Sequence, residues 1–243
     1  MSDFWNSVLQ WLHGLGLHPG REAVEQAGAM AGRAAQVAGQ MDLGALLALA
    51  AALGWASGLR LYAVVFAVGL LGITGLVPLP GSLHVLAHPL VLIISGGLLL
   101  VEFCADKIPV LDSVWDLFQS VLRIPAGAAL AAAVFGADNS TMAMVAALLG
   151  GTLAATSQAA KTTTRALINT SPEPFSNLGA SLAEDTASLG AIWLALSHPL
   201  VFAGVLLVVV IAMWLVIWVL WRFLKAAIGR LRGWLNGSAA PQT

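Results

Sequence analysis

Most charged residues in the apolar middle of this chain lie in two short windows. Residues 43–199 contain thirteen charged side chains, and eleven of them lie within residues 102–123 or 161–185. Ionisable side chains among apolar helices bind ions or polar solutes, or relay protons, when they face the interior of a helical bundle. We therefore predict a substrate- or ion-binding site at Arg60, Glu102, Asp106, Lys107, Lys161, Arg165, Glu184 and Asp185.

The basic and acidic members of this predicted site would do different work. Lys107, Lys161 and Arg165 would bind or screen an anionic group of the solute, while the carboxylates would pair with them or relay protons. Three of the carboxylates, those of Glu102, Glu184 and Asp185, lie inside apolar runs or directly before them. Neither helix capping nor the helix dipole explains a carboxylate there. These three carboxylates are therefore the strongest candidates for buried groups that pair with cations or relay protons.

Four further polar residues are predicted to support the site, namely Asp112, Asp116, Asn169 and Asn177. Asp112 and Asn177 are interpreted as N-caps of the helices that follow them. Asp116, one turn after Asp112, suits the positive end of the helix dipole. Asn169 begins the stretch "NTSPEPFSN", which we expect to be a non-helical loop lining a cytoplasmic cavity.

Two alternatives to a solute site remain open from the sequence. The same charges would also serve as interhelix salt bridges in a structural or assembly protein. A membrane enzyme acting on a lipid is less favoured: Ser157 and Lys161 lie one turn apart, as a Ser–Lys dyad requires, but no oxyanion-hole signature, HExxH or P-loop accompanies them. We predict no catalytic residue, no metal site and no cofactor.

The composition indicates a membrane protein. Hydrophobic residues make up 59% of the chain and charged residues 9%, with a mean hydropathy of +0.87. A soluble domain carries roughly 25% charged residues, so this much apolar surface needs a bilayer to cover it. The net charge of −1 predicts no nucleic-acid partner, and the single cysteine, Cys104, excludes an internal disulfide.

The apolar segments predict an all-α, polytopic fold of about six transmembrane helices. The first segment, 43–79, is interrupted by "GWASGLR", so we expect a broken span with Arg60 beside the break, facing either the bundle interior or an interface. The other five segments are 88–105, 124–135, 141–160, 178–196 and 199–224. Residues 1–42 form an amphipathic extension predicted to lie in the membrane interface, 43–226 the transmembrane domain, and 227–243 a basic tail.

Apart from Arg60, the lysines and arginines of residues 43–199 lie in alternate connections. Lys107 and Arg123 flank one loop, Lys161 and Arg165 another, and the connections between them carry no Lys or Arg. The positive-inside rule then predicts that both termini and both charged windows are cytoplasmic. The basic C-terminal end, which also carries tryptophans, is a candidate site for anionic lipid. A homo-oligomer remains open.

The two windows are similar to each other. "GGLLLVEFCADK" and "GGTLAATSQAAK" both read Gly-Gly, nine residues, Lys, and "PVLDSVWD" and "PFSNLGAS" share Pro-x-x-Asp/Asn. Transporters are often built from repeats that meet at a shared polar site. The matches favour an internal repeat in which two charged hairpins form that site.

Five blocks carry a resemblance to a known family: "SGLRLYAVVFAVGLLG", "VEFCADKIPVLDSVWD", "RIPAGAALAAA", "LLGGTLAATSQAAKTTTRALINTSPEPFSN" and "SLAEDTASLGAIWLALSHP". They resemble the bacterial membrane proteins grouped as domain of unknown function 4126. The resemblance covers roughly residues 43–210. It implies an integral protein of the bacterial inner membrane with no assigned activity, and it carries no functional residue over to this chain.

Overall fold

The computed structural model describes residues 41–77, 79–105, 109–137, 139–168 and 174–237. Residues 1–40 of the predicted interfacial extension lie outside these residues, as do Asp106, Lys107 and Asn169. Asp112 and Asp116 have described backbone only, so the predicted role of the Asp116 side chain stays a prediction.

The described residues form six α-helices and no strand, which confirms the predicted all-α fold. The helices are α1 over Leu43–Thr74, α2 over Pro89–Ala105, α3 over Pro109–Ala133, α4 over Ser140–Ile168, α5 over Pro174–Ser197 and α6 over Pro199–Gly237, with a short 3-10 helix over Leu83–Ala87 between α1 and α2.

Three of the described helices are long and apolar enough to cross a membrane, over Leu43–Thr74, Ser140–Ala166 and Pro199–Phe223. The protein is therefore a helical membrane protein, as its composition predicted. Helix α2 is apolar but shorter, and α3 and α5 carry charged residues in their first halves. The count of six spans stays a prediction.

Helix α1 lies at the centre of the bundle and packs against each of the other five described helices. Its residues from Ala48 to Leu61 are buried without interruption. Helix α6 is the opposite case, because its apolar side chains are largely exposed from its first turn onward. A central helix that is buried on all sides can hold polar groups away from lipid, and α1 is where the charged residues converge.

Helix α1 is broken at Arg60, as the sequence predicted. The backbone of Arg60 adopts φ −143° and ψ 76°, far from helical values. A break at membrane depth releases backbone groups that need new partners. Helix α4 supplies them: the Lys161 ammonium donates to the Leu59 carbonyl at 3.1 Å, and the Ser157 hydroxyl donates to the Trp55 carbonyl at 2.7 Å.

Glycines bring α1, α3 and α4 into backbone contact just before the break. A methyl group at Gly54 would lie 2.7 Å from the Gly150 carbonyl oxygen, and one at Gly150 would lie 2.9 Å from the Gly127 carbonyl oxygen. Small residues allow such close approach between membrane helices. This contact sets how near the polar side chains of α4 come to α1.

We expect Gly54→Ala to lower the free energy of unfolding by about 1–3 kcal/mol, because the added methyl overlaps the backbone of α4. Gly97→Ala is the matched control: no atom lies within 4 Å of the site, so the change should be neutral or slightly stabilising. Thermal unfolding of the detergent-solubilised protein measures both. Equal stability of the two variants would contradict this packing.

Candidate functional site

Among the described residues, Arg60 lies between three carboxylates contributed by two other helices. Its Nε lies 3.0 Å from Asp185 Oδ1 and 3.4 Å from Glu184 Oε2, and its Nη1 lies 3.8 Å from Glu102 Oε1. Nη2 also donates to the hydroxyl and the carbonyl of Ser181. Arg60 itself is fully buried. The break in α1 thus places one guanidinium where the last turn of α2 meets the middle of α5.

A second buried arginine extends this arrangement to α3. Arg123 Nη2 lies 2.6 Å from Glu102 Oε1, and neither side chain is exposed to solvent. Arg123 Nη1 donates to Gln158 Oε1 at 2.8 Å, and Gln158 Nε2 donates to Ser120 Oγ at 2.8 Å. The 2.6 Å distance between Arg123 Nη2 and Glu102 Oε1 is typical of a charge-assisted hydrogen bond. Glu102 therefore joins Arg60 to α3 and, through Arg123, to α4.

Glu184 forms ion pairs with the basic residues of α4 in the same way. Lys161 Nζ lies 3.2 Å from Glu184 Oε2. Arg165 binds both carboxylate oxygens, with Nε donating to Oε1 and Nη2 to Oε2, each at 3.2 Å. Arg165 Nη1 also donates to Asn177 Oδ1 at 3.5 Å. The two-point contact fixes the orientation of Glu184 as well as its charge.

These contacts form one ion-pair network across five helices. Its charged members among the described residues are Arg60, Glu102, Arg123, Lys161, Arg165, Glu184 and Asp185. Cations and carboxylates alternate along it, so each buried charge contacts one of opposite sign. Burial of a charge costs several kcal/mol, and only close pairing with further hydrogen bonds offsets that cost.

The two charged windows therefore converge, as the hairpin prediction required. Six of the eight predicted site residues meet around Arg60 and Glu184: Arg60, Glu102, Lys161, Arg165, Glu184 and Asp185. Asn177, predicted to support the site, contacts Arg165. Asp106, Lys107 and Asn169 lie outside the described residues. That this cluster binds a solute, and that the two hairpins are repeats, stay predictions.

The capping roles assigned to Asn177 and Asp112 are wrong. Helix α5 begins at Pro174 and α3 at Pro109, so both residues lie inside the first turn of their helices. Proline suits the first position of a helix because the missing N–H would have no partner there. The Asn177 side chain is instead turned toward Arg165.

The sequence prediction missed Arg123 and Gln158. Arg123 was interpreted only as a cation flanking a loop, yet it precedes the apolar half of α3 directly and is fully buried. Gln158 lies three residues before Lys161, on the same face of α4. The sequence signal for Gln158 was its position, because it is a polar side chain on the helix face that carries Lys161, a predicted site residue.

An apolar cavity of about 900 Å³ opens beside the network. It lies between α2, α5 and the half of α1 that follows the break. Among the described residues that line it, Asp185 alone carries a charge. Oδ1 of Asp185 is buried against Arg60, while the side chain as a whole is 29% exposed. Asp185 is therefore the member of the network that reaches the cavity.

The two residues weighed as a catalytic dyad, Ser157 and Lys161, have other partners. Ser157 donates to carbonyls of Trp55 and Ala154, and Lys161 binds Glu184 and the Leu59 carbonyl. Within the described ranges, no three His, Cys, Asp or Glu side chains are grouped closely enough to hold a metal ion.

We expect Glu102→Gln to lower the free energy of unfolding by about 3–5 kcal/mol, because it breaks a buried ion pair from one side. The Glu102→Gln/Arg123→Met double variant should lose less than the sum of the two single changes. Denaturation in detergent measures both, with exposed Lys225→Gln as a control that changes stability by less than about 0.5 kcal/mol. Strict additivity of the two changes would show that the pair is not coupled.

Comparison with known proteins identifies the family and nothing closer. No curated protein and no solved structure matches the chain. A family model described as "Domain of unknown function (DUF4126)" matches residues 47–222, which include every described member of the ion-pair network. The chain belongs to the DUF4126 family.

Proposed function

We propose that this protein transports a small solute across the membrane. The cavity would hold the solute, and the ion-pair network would change its pairing as the solute binds and leaves. The observation that carries the proposal is the position of Asp185, which binds Arg60 on one side and lines the cavity on the other. A group in both places can pass a change in the cavity to the network.

Arg60 keeps two carboxylates when Asp185 leaves it. Glu184 Oε2 is 3.4 Å and Glu102 Oε1 is 3.8 Å from the guanidinium, so its buried charge stays paired. Asp185 can then bind a proton or a solute without stranding Arg60 in a low-dielectric interior. By contrast, Lys161 and Arg165 both bind Glu184, which supports a role in holding the network rather than in binding an anionic solute.

The break at Arg60 provides a place for movement. The segment of α1 after the break supplies Ala63, Phe66 and Ala67 to the cavity, and the break itself supplies Arg60 to the network. Transporters often use such discontinuous helices near the middle of the bilayer, where the two halves change their relative orientation. A small rotation at Arg60 would alter the cavity and the ion pairs together.

The surroundings of the protein belong to the same proposal. We place it in the cytoplasmic membrane of a bacterium with both termini cytoplasmic, on the distribution of Lys and Arg. At the basic end of α6, Arg222 lies 4.8 Å from the Trp218 ring centroid and Lys225 lies 5.2 Å from that of Trp221. Cations held over exposed aromatic rings at an interface suit an anionic phospholipid. A homo-oligomer stays a proposal without structural support.

A structural role is the second candidate function. One observation favours it: each described cation of the network lies within 4 Å of at least one carboxylate oxygen, as in a set of interhelix salt bridges. The two functions differ in movement. A structural network keeps one arrangement, whereas a transporter exposes its solute site to both sides of the membrane in turn.

Accessibility from the two sides distinguishes these functions without knowledge of the solute. In a Cys104→Ser background, Ala67→Cys places a thiol in the cavity and Gly97→Cys places one on the exposed face of α2. We expect a membrane-impermeant maleimide to label Ala67→Cys in both right-side-out and inside-out vesicles, and Gly97→Cys in neither.

Replacing the Asp185 carboxylate should change how often the cavity opens to each side of the membrane. We expect Asp185→Asn to change the ratio of labelling from the two sides at Ala67→Cys at least about threefold, because it removes one of the pairings between which the network alternates. Labelling of Ala67→Cys from one side only, unaffected by Asp185→Asn, would reject transport by alternating access and favour the structural role.

A further inference from the structure

We propose that the cavity binds a lipophilic organic cation, with the positive group beside Asp185 and the apolar body among the aromatic and aliphatic side chains. This assignment names the class of solute for the transport function proposed above and rests on it. It is carried by three properties of the cavity: one carboxylate at its edge, several aromatic rings, and apolar walls.

The Asp185 side chain is partly exposed where it lines the cavity. Oδ1 of Asp185 is buried and lies 3.0 Å from Arg60 Nε, so the 29% exposure of this side chain falls on atoms other than Oδ1. A cation in the cavity would approach Asp185 at this exposed part of the side chain. Arg60 also contacts Glu102 and Glu184, so it keeps carboxylate contacts when Asp185 turns toward the solute.

Aromatic rings line the cavity on all three of its helices. Phe66 comes from α1, Phe103 from α2 and Trp193 from α5. Faces of aromatic rings attract cations, and they attract most strongly where water is excluded. The remaining wall is aliphatic, with Leu189 and Leu99 as examples, so it suits a bulky apolar body.

These properties discriminate between classes of solute. A volume of about 900 Å³ is within the range of small-molecule sites, roughly 300–1,000 Å³. A lipophilic anion would face the Asp185 carboxylate across an apolar space, where like charges repel strongly. A small inorganic cation would lose its hydration among apolar walls with little in exchange. A bulky organic cation avoids both the repulsion from Asp185 and the loss of a strongly bound hydration shell.

The test compares two probes of the same shape and opposite charge. Tetraphenylphosphonium and tetraphenylborate differ in the sign of their charge, so their affinities report the electrostatics of the site at constant size. We expect the full-length protein in detergent to bind tetraphenylphosphonium at least about tenfold more tightly than tetraphenylborate, by equilibrium dialysis with an empty-micelle reference. Equal affinity, or tighter binding of the borate, would overturn the assignment.

Two variants place the binding in the cavity. Asp185→Asn should lose at least about tenfold in affinity for tetraphenylphosphonium and little for tetraphenylborate, because only the charge contact is removed. Ala67→Trp keeps the carboxylate but fills the cavity, so it should weaken the binding of both probes. Unchanged phosphonium affinity in a folded Ala67→Trp variant would place the site elsewhere and overturn the assignment, even if Asp185→Asn fails to fold.

Flux separates this inference from the transport proposal. Binding of tetraphenylphosphonium at the cavity, together with uptake into proteoliposomes no faster than into protein-free liposomes and one-sided labelling of Ala67→Cys, would uphold the site and overturn the transport function. Two-sided labelling without phosphonium binding would uphold transport and overturn the organic cation as its solute. Uptake faster than into protein-free liposomes that is lost in both Asp185→Asn and Ala67→Trp would support both.

Discussion

Burial of the Arg60 guanidinium at the break in α1 is the constraint on which the other features of the site depend. A fully buried arginine must have carboxylates beside it, and Glu102, Glu184 and Asp185 meet that need from two other helices. Those carboxylates are buried or half-buried in their turn, and the cations of α3 and α4 balance them. The network thus follows from one charge placed where the central helix is interrupted.

The same interruption explains why α4 lies so close to α1. Lys161 binds the Leu59 carbonyl next to the break, and Ser157 binds the Trp55 carbonyl in the preceding turn, so α4 supplies partners to the backbone of α1. The short Ser157 side chain reaches its carbonyl because glycines keep the two backbones in contact. Small-residue packing and ion pairing therefore depend on each other, and neither would hold the break in a lipid environment alone.

The sequence predicted the break, the helices and six members of the site because each has a local signal. Arg60 follows two glycines, and Glu102 and Glu184 lie where capping does not explain a charge. Arg123 was not predicted as a partner of Glu102, since that pairing depends on how α2 and α3 are arranged in space. The cavity was not predicted either, because leucine or phenylalanine lining a cavity looks the same in sequence as one facing lipid.

We propose that Asp185 binds Arg60 and exchanges this partner for a cation from the cavity. Solid-state NMR of the protein in bilayers measures it directly, through dipolar recoupling between labelled arginine guanidinium nitrogens and labelled aspartate side-chain carboxyl carbons. We expect a contact at ion-pair distance that disappears in Asp185→Asn and weakens when tetraphenylphosphonium saturates the protein. Recoupling that is the same with and without the Asp185 carboxylate, and with and without the phosphonium, would contradict the account.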